Sequence, residues 1–105
     1  MITAIVRTRL SAGSHGRNAI ELFRESLHVY QGVDGLLRKS FILDAENGIA
    51  GGVYLWVSRE AADKFFTPLW LEQMAKLGGS APEIMFFDTP IIVDNETDEV
   101  LFVTE

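Results

Sequence analysis

The chain has 105 residues, of which 48% are hydrophobic and none is cysteine, and its formal net charge is −6. This length and apolar content predict one globular domain over residues 1–105 and exclude a disordered chain. The negative charge opposes a phosphate backbone, so we expect no nucleic-acid partner. The lack of cysteine excludes disulfides, thiolate metal sites and cysteine nucleophiles.

A membrane or export signal is not expected either. Met1-Ile2-Thr3 begins neither a charged nor an apolar signal region, and no apolar run is long enough to cross a bilayer. Together with the missing cysteines, these features predict a cytoplasmic protein.

The first half of the chain predicts a strand, a helix and a strand pair. Residues 2–10 are β-rich and partly alternating. A helix over about 16–30 is indicated by four apolar residues at helical spacing, Ile20, Phe23, Leu27 and Tyr30. Strands at 36–44 and 49–57 flank a hairpin turn at Glu46-Asn47-Gly48, in which both turn residues tolerate positive φ.

The second half predicts a broken helix and three short strands. Ser58 is a suitable N-cap for a helix over 59–66, and Thr67-Pro68 predicts a second start that continues to Leu77. Strands are predicted at 84–87, 91–93 and 100–103, with Pro90 as an interruption. The order β-α-β-β-α-β plus a C-terminal β-hairpin predicts a ferredoxin-like α+β fold, with an antiparallel sheet and both helices on one face.

Strand alternation predicts that the other face of the sheet is apolar. We assign six residues to it: Ile5, Leu37, Phe41, Val53, Leu55 and Val57. Water disfavours an apolar face of this size, and a chain this short gains from association. We therefore expect a homodimer in which two copies pack sheet to sheet.

The segment Gly51-Gly52-Val53-Tyr54-Leu55-Trp56 predicts a ligand cavity between the sheet and the helices. A strand glycine such as Gly52 often marks the close approach of another group. Tyr54 and Trp56 are two residues apart and point to the same face of the sheet. Ordinary core packing explains these aromatic residues about equally well.

Three stretches carry a family resemblance: Gly35-Leu36-Leu37-Arg38-Lys39, Ala50 to Trp56, and Ala61-Ala62. They resemble the YdhR-type monooxygenases of the dimeric α/β-barrel superfamily, over about residues 1–95 in element order and most specifically over about 35–77. The resemblance implies a homodimer whose two sheets form a barrel, with a pocket in each subunit. It also implies oxidation of phenolic or quinol substrates by dioxygen without metal or flavin, so we expect no cofactor.

The resemblance carries over to individual residues in part. Trp56 matches a pocket-lining aromatic of the third strand in the wider superfamily. Tyr54 stands where a glutamate is common, Thr8 where haem-degrading relatives have asparagine, and Phe65 near the usual place of a histidine in the second helix. These departures argue against haem degradation and against a histidine-assisted oxygenase mechanism.

Seven residues are the candidate site. Tyr54 is expected to hydrogen-bond a substrate oxygen, and Thr8 or His28 to assist proton transfer. The substrate-binding candidates are Trp56, Gly52, Phe65 and Trp70.

Simpler roles compete with these assignments for the charged residues. His28 near a helix C-terminus complements the helix dipole, and His15 in a Gly/Ser loop is expected to be exposed. The two histidines are too isolated to form a metal site. Three basic side chains, Arg7, Arg9 and Lys39, are expected to pair with Asp44 and Glu83 at the barrel rim rather than to bind an acidic or phenolate ligand.

Three functions stay open on this basis. The first is a cofactor-independent monooxygenase that acts on a small aromatic, phenolic or quinol-like substrate. The second is a homodimer that binds a small apolar or aromatic molecule without turnover. The third is an assembly module, which a cavity filled by side chains would favour.

Overall fold

The computed structural model describes residues 1–10, 16–78 and 80–103, apart from the side chains of 16–18 and 78. Its elements run in the order β1 Ile2–Arg9, α1 Gly16–Tyr30, β2 Leu36–Asp44, β3 Ile49–Trp56, α2 Arg59–Phe65, α3 Pro68–Gly78, β4 Glu83–Asp88, β5 Ile91–Asp94 and β6 Glu99–Phe102. The predicted loop residue His15 and the predicted helix stop at Gly79 lie outside the described residues.

β1 to β4 form one antiparallel sheet in the order β2-β3-β1-β4. β5 and β6 pair only with each other, as a separate antiparallel hairpin within the described part of the chain. The predicted ferredoxin-like α+β fold with a C-terminal β extension is confirmed.

The two predicted helix starts after β3 are both present. The Ser58 side chain accepts a hydrogen bond from the backbone N–H of Ala61 at 3.1 Å, and the Thr67 hydroxyl accepts one from the N–H of Trp70 at 3.1 Å. Each cap satisfies a backbone donor that the first helical turn leaves unpaired. Because Pro68 fits only the first turn of a helix, the chain breaks into α2 and α3 at that point.

The β2–β3 turn differs from the expected one. It contains four residues, 45–48, and only Gly48 has positive φ, at 65°, whereas Asn47 does not. Asp44 holds the turn by accepting hydrogen bonds from the Asn47 backbone N–H at 3.2 Å and from its Nδ2 at 2.8 Å. The side-chain bonds replace the tight two-residue geometry that would have required positive φ at both positions.

The helices cover one face of the sheet, and the main core lies there. Its buried members are Ile2, Ala4, Val6, Tyr54, Trp56, Ala62 and Trp70. Buried and half-buried residues alternate along the whole of β3. This is the pattern of a strand with one face packed under helices.

The opposite sheet face differs in part from the predicted one. Phe41 pairs across the sheet with Gly52 and contacts the rings of Phe23 and Tyr30, so it lies on the helix-covered face. A register shift between Leu36 and Arg38 inverts the alternation of β2 after Leu36. By cross-strand register, the uncovered face carries seven apolar residues: Ile5, Ile42, Ile49, Val53, Leu55, Met85 and Phe87.

No helix in the described ranges is long and apolar enough to cross a membrane.

Candidate functional site

A cavity of about 550 Å³ opens between α1, α3 and the covered face of the sheet. Its walls are largely apolar, and they include Val6, Phe23, Val29, Phe41, Ala50, Trp70, Met74 and Leu77. This size and polarity are typical of small-molecule sites. A filled cavity, the arrangement that would favour a pure assembly module, is therefore not observed.

The most unusual side chain in the cavity wall is Lys39 of β2. Its Nζ lies 3.1 Å from the ring centroid of Tyr30, 3.9 Å from that of Phe41 and 4.8 Å from that of Tyr54. In the described part of the chain, no acidic side chain forms an ion pair with Lys39. The amine is thus held by aromatic faces and not by a counter-ion.

Sheet register and one glycine bring Lys39 to this place. Lys39 is the cross-strand partner of Tyr54, and directly opposed residues share a face. A Cβ on Gly52 would lie 2.8 Å from Lys39 Cε and 3.0 Å from Tyr54 Cε1. Gly52 therefore leaves the space that the lysine stem and the tyrosine ring occupy.

Two opposing effects act on the charge of Lys39. Burial disfavours the ammonium form and lowers the pKa of Lys39 from 10.5 to about 7. The aromatic faces act in the other direction, because cation–π attraction favours the charged form by roughly 0.5–2 kcal/mol. Desolvation is the larger effect, and it leaves both the free amine and the ammonium form populated near neutral pH.

Two phenols border the amine. Burial raises the pKa of Tyr30, and contacts with the Tyr54 and Trp70 side chains lower it by a smaller amount. Burial, followed by the charge and hydroxyl of Tyr30, raises the pKa of Tyr54 above its usual range. Both hydroxyls therefore stay protonated near neutral pH and act as hydrogen-bond donors, not as bases.

Trp70 adds a further donor. Its side chain lines the cavity with 7% of its surface exposed, and its indole Nε1 is buried without a hydrogen-bond partner in the described structure. The Trp70 side chain lowers the pKa of the nearby Tyr30, but its Nε1 and the Tyr30 hydroxyl do not meet the geometry of a hydrogen bond. A buried donor without a partner costs about 1–3 kcal/mol, and the indole Nε1 of Trp56 is unpaired in the same way.

Four of the seven predicted site residues border the cavity: Thr8, His28, Tyr54 and Trp70. The Thr8 hydroxyl donates a hydrogen bond to the Ser80 carbonyl at 3.1 Å. His28 is an exposed residue in the last turn of α1 and contributes to the rim. Tyr54 is 1% exposed and forms part of the cavity floor.

The other three predicted residues lie next to the cavity and not in its wall. Trp56 is 0% exposed, and its ring stacks parallel to that of Tyr54 at 6.1 Å between centroids. Phe65 packs between Tyr30 and Trp56 at 5.5 and 5.6 Å. Gly52 acts through the space it leaves for Lys39.

The basic residues behave in two ways. Arg7 pairs with Glu83 at 3.1 Å on the exposed surface, as expected. Lys39 does not pair with Asp44, which is engaged by Asn47 instead. The assignment of Lys39 to the rim was wrong, because its strand partner is Tyr54 and its side chain enters the cavity.

Sequence analysis missed Lys39 and Tyr30 as cavity residues. The signal for Lys39 was present, since antiparallel pairing around the Asn47-Gly48 turn places odd-numbered β2 residues opposite even-numbered β3 residues. The sequence contains no such signal for Tyr30, because helical spacing does not show which aromatic residue of a helix contacts a particular strand.

In the described ranges, no three His, Cys, Asp or Glu side chains lie close enough together to bind a metal ion. The chemistry offered by the side chains is instead proton transfer by one amine and hydrogen bonding from two phenols and one indole. These groups sit in an apolar space that favours planar rings.

Comparisons with known proteins agree on the fold. No protein-family model and no curated protein matches the sequence. Among solved structures, one described as an antibiotic biosynthesis monooxygenase is similar with a TM-score of 0.65 and 15% identity, covering 85% of this chain and 98% of that chain. SnoaB, a cofactor-independent oxygenase from Streptomyces nogalater, is similar with a TM-score of 0.62 and 13% identity over 84% and 91% of the two chains.

A third similar structure is MhuD with two manganese protoporphyrin IX molecules bound per active site. Its TM-score is 0.66 with 17% identity, over 90% of this chain and all of that chain. At these sequence identities, the structural similarity establishes the fold alone. The chemistry of the site has to be inferred from its side chains. The chain has the ferredoxin-like α+β fold seen in the antibiotic biosynthesis monooxygenases.

Proposed function

We propose that the protein is a cofactor-independent monooxygenase that acts on a small planar aromatic substrate with a phenol or enol group. The observation that carries the proposal is the apolar cavity that contains one amine, Lys39, beside two protonated phenols, Tyr30 and Tyr54. SnoaB, which has the same fold, is described as a cofactor-independent oxygenase.

Lys39 supplies the proton acceptor. Near neutral pH a fraction of its amine is uncharged, so it can accept the proton of a bound phenol or enol. The ammonium that forms remains over the Tyr30 ring and lies beside the new oxyanion. The Tyr54 hydroxyl and the Trp70 indole N–H are the donors that hold substrate oxygens.

The substrate anion then provides the electrons for dioxygen. In the overall reaction a ring CH₂ becomes C=O, one oxygen atom enters the product and the other leaves as water. The two electrons and two hydrogens come from the substrate, so the balance requires no further reductant. Apolar walls exclude water from the anion, which removes the hydration that would otherwise stabilise it.

An oxygen-labelling experiment tests the proposal. The probe is 1,8-dihydroxyanthrone, which would give 1,8-dihydroxyanthraquinone and water when it reacts with one dioxygen. We expect one ¹⁸O atom in the product under ¹⁸O₂, at a rate well above the uncatalysed oxidation, and a large loss of rate in Lys39→Met. Turnover that is unchanged in Lys39→Met would contradict the assignment of the base.

A binding function without turnover is the second candidate. It is favoured by the two tyrosines, whose raised pKa values keep both phenols of the described cavity wall from acting as bases. Tight binding of the anthrone with no label in any product, under conditions in which the protein is folded, would support this candidate over the oxygenase.

We also propose that the functional unit is a homodimer. The support is the uncovered sheet face, where Met85 and Phe87 are 42% and 49% exposed beside half-buried Ile5, Val53 and Leu55. A second copy of the same face would remove these side chains from water.

A further inference from the structure

We propose that Lys39 is a carbonyl-reactive amine, and that the cavity captures aromatic aldehydes or ketones as an imine on its Nζ. This activity differs from oxygenation and does not depend on it. Imine capture needs an accessible primary amine, a dry apolar site for the carbonyl compound and a nearby proton donor. The cavity provides all three.

The surroundings of Lys39 are those of a reactive amine and not of a structural ion pair. Its stem passes through the gap left by Gly52, and its Nζ faces the rings of Tyr30, Phe41 and Tyr54. No carboxylate in the described ranges neutralises it or keeps it protonated. The 550 Å³ space beside it accepts a two- or three-ring compound.

The protonation state favours attack on a carbonyl. The lowered pKa of Lys39 leaves about half of the amine uncharged near pH 7, whereas an ordinary lysine is almost entirely protonated there. An uncharged amine also loses its attraction to the ring faces, since cation–π attraction requires the charge. The free amine is then no longer held on the Tyr30 ring and can turn toward a carbonyl in the cavity.

The reaction balances without a redox partner. The Nζ lone pair attacks the carbonyl carbon to give a carbinolamine, and loss of water then leaves the C=N bond. The two hydrogens of the amine leave with the carbonyl oxygen as water, and the Tyr30 and Tyr54 hydroxyls, which stay protonated, can hydrogen-bond the departing oxygen. The other ionisable side chains of the described cavity wall lie on the helices: Glu25 and His28 on α1 and Lys76 on α3.

The chain contains its own controls. Lysine occurs at three positions only, 39, 64 and 76. Lys64 and Lys76 are exposed and pair with Glu60 and Glu72 at 3.4 and 3.6 Å. In the described structure, neither ammonium lies over an aromatic ring in the way that Lys39 does, so both exposed lysines should be much less reactive toward an aromatic aldehyde.

The experiment is reductive trapping of the full chain with 2-naphthaldehyde and cyanoborohydride at pH 7, followed by peptide mapping by mass spectrometry. We expect Lys39 to be modified at least about tenfold faster than Lys64 or Lys76, because its free-amine fraction is larger. The N-terminal amine is scored separately from the three lysines. The Lys39 rate should level off above about pH 7, because burial lowers the pKa of this amine to about 7.

Two further measurements show whether the preference comes from the cavity. In concentrated urea the preference for Lys39 should disappear. 2-Methylnaphthalene, which lacks a carbonyl, should slow labelling at Lys39 but not at Lys64, which lies outside the cavity wall. Equal labelling of the three lysines in the folded protein, or a preference that persists in urea, would overturn the proposal.

Discussion

At the scale of single residues, the protein is distinguished by an amine in a place where most proteins bury apolar groups. Lys39 is half-buried, lies over aromatic faces and lacks a carboxylate partner in the described ranges. The folded state therefore binds the Lys39 proton more weakly than the unfolded chain does, and this difference links stability to pH.

The first prediction is that the unfolding free energy rises with pH above neutrality. Between the folded pKa of Lys39, about 7, and its ordinary value of 10.5, the unfolded chain carries more protons, so a higher pH favours the folded state. Urea unfolding at pH 7, 8 and 9.5 measures the slope. Work below pH 10 avoids tyrosine ionisation, which acts in the opposite direction because the pKa values of Tyr30 and Tyr54 are raised.

Lys39→Met should flatten this slope and stabilise the protein near pH 7, by about 1–2 kcal/mol, because an apolar side chain of similar length replaces a desolvated charge. Lys76→Met is the matched control, since Lys76 is exposed and paired with Glu72. A wild-type stability that does not change between pH 7 and 9.5 would show that the ammonium of Lys39 is not destabilised by burial.

The second prediction separates Tyr54 from Trp56. Tyr54→Phe removes a hydroxyl from the cavity floor and should weaken binding of 1-naphthol about tenfold while leaving 1-methylnaphthalene unaffected, because one hydrogen bond to the ligand is lost. Trp56→Phe changes a ring outside the cavity wall, so its effect on either ligand should be smaller. Isothermal titration calorimetry with both ligands measures the loss of affinity in each variant. Equal losses of affinity in the two variants would contradict this prediction.

At the scale of elements, β3 organises the site with two glycines that face opposite ways. A Cβ on Gly51 would lie 1.8 Å from the Val6 carbonyl oxygen, which is fixed by strand pairing. A Cβ on Gly52 would meet the end of the Lys39 side chain, at 2.8 Å from Cε, which can move. The two adjacent glycines thus serve different purposes, one for the sheet and one for the cavity.

The third prediction compares Gly51→Ala with Gly52→Ala. Gly51→Ala should destabilise the protein by about 3 kcal/mol or more, because backbone atoms must separate. Gly52→Ala should cost about 1–2 kcal/mol and displace Lys39, so that the pH dependence of stability becomes weaker. Denaturant unfolding at two pH values tests both effects, and a Gly52→Ala protein with an unchanged pH slope would contradict this role for Gly52.

At the scale of the whole molecule, the four-stranded sheet is covered by helices on one side only. The C-terminal β5–β6 hairpin adds more exposed apolar surface, with Ile91, Val93 and Phe102 at 53%, 65% and 74% exposure. A second copy that covered this apolar surface would remove it from water, which supports the proposed homodimer.

The fourth prediction is a dimer that depends on the uncovered sheet face. Sedimentation at micromolar concentration should give about twice the chain mass of 11.7 kDa. Val53→Lys, at the centre of that face, should shift the protein toward monomer, whereas Leu69→Lys on the exposed side of α3 should not. A wild-type monomer under these conditions would contradict the proposed sheet-to-sheet assembly.

The sequence by itself determined the order and bounds of the elements. The bounds of α1, the caps at Ser58 and Thr67 and the C-terminal hairpin all depend on local signals: helical spacing, hydrogen-bonding side chains and turn residues. Local signals also identified Tyr54 and Trp70, whose aromatic side chains are found beside the cavity.

Only the tertiary structure decided which residues form the cavity wall. The turn at 45–48 sets the register that places Lys39 across from Tyr54 and Phe41 across from Gly52, and the bulge at Leu36/Arg38 shifts the pairing at the start of β2. The close contact of Lys39 with Tyr30, and the position of Phe65 between Tyr30 and Trp56, arise from packing between different elements. Residue spacing within one element does not contain that information, because it fixes the face of a side chain but not the neighbour it meets.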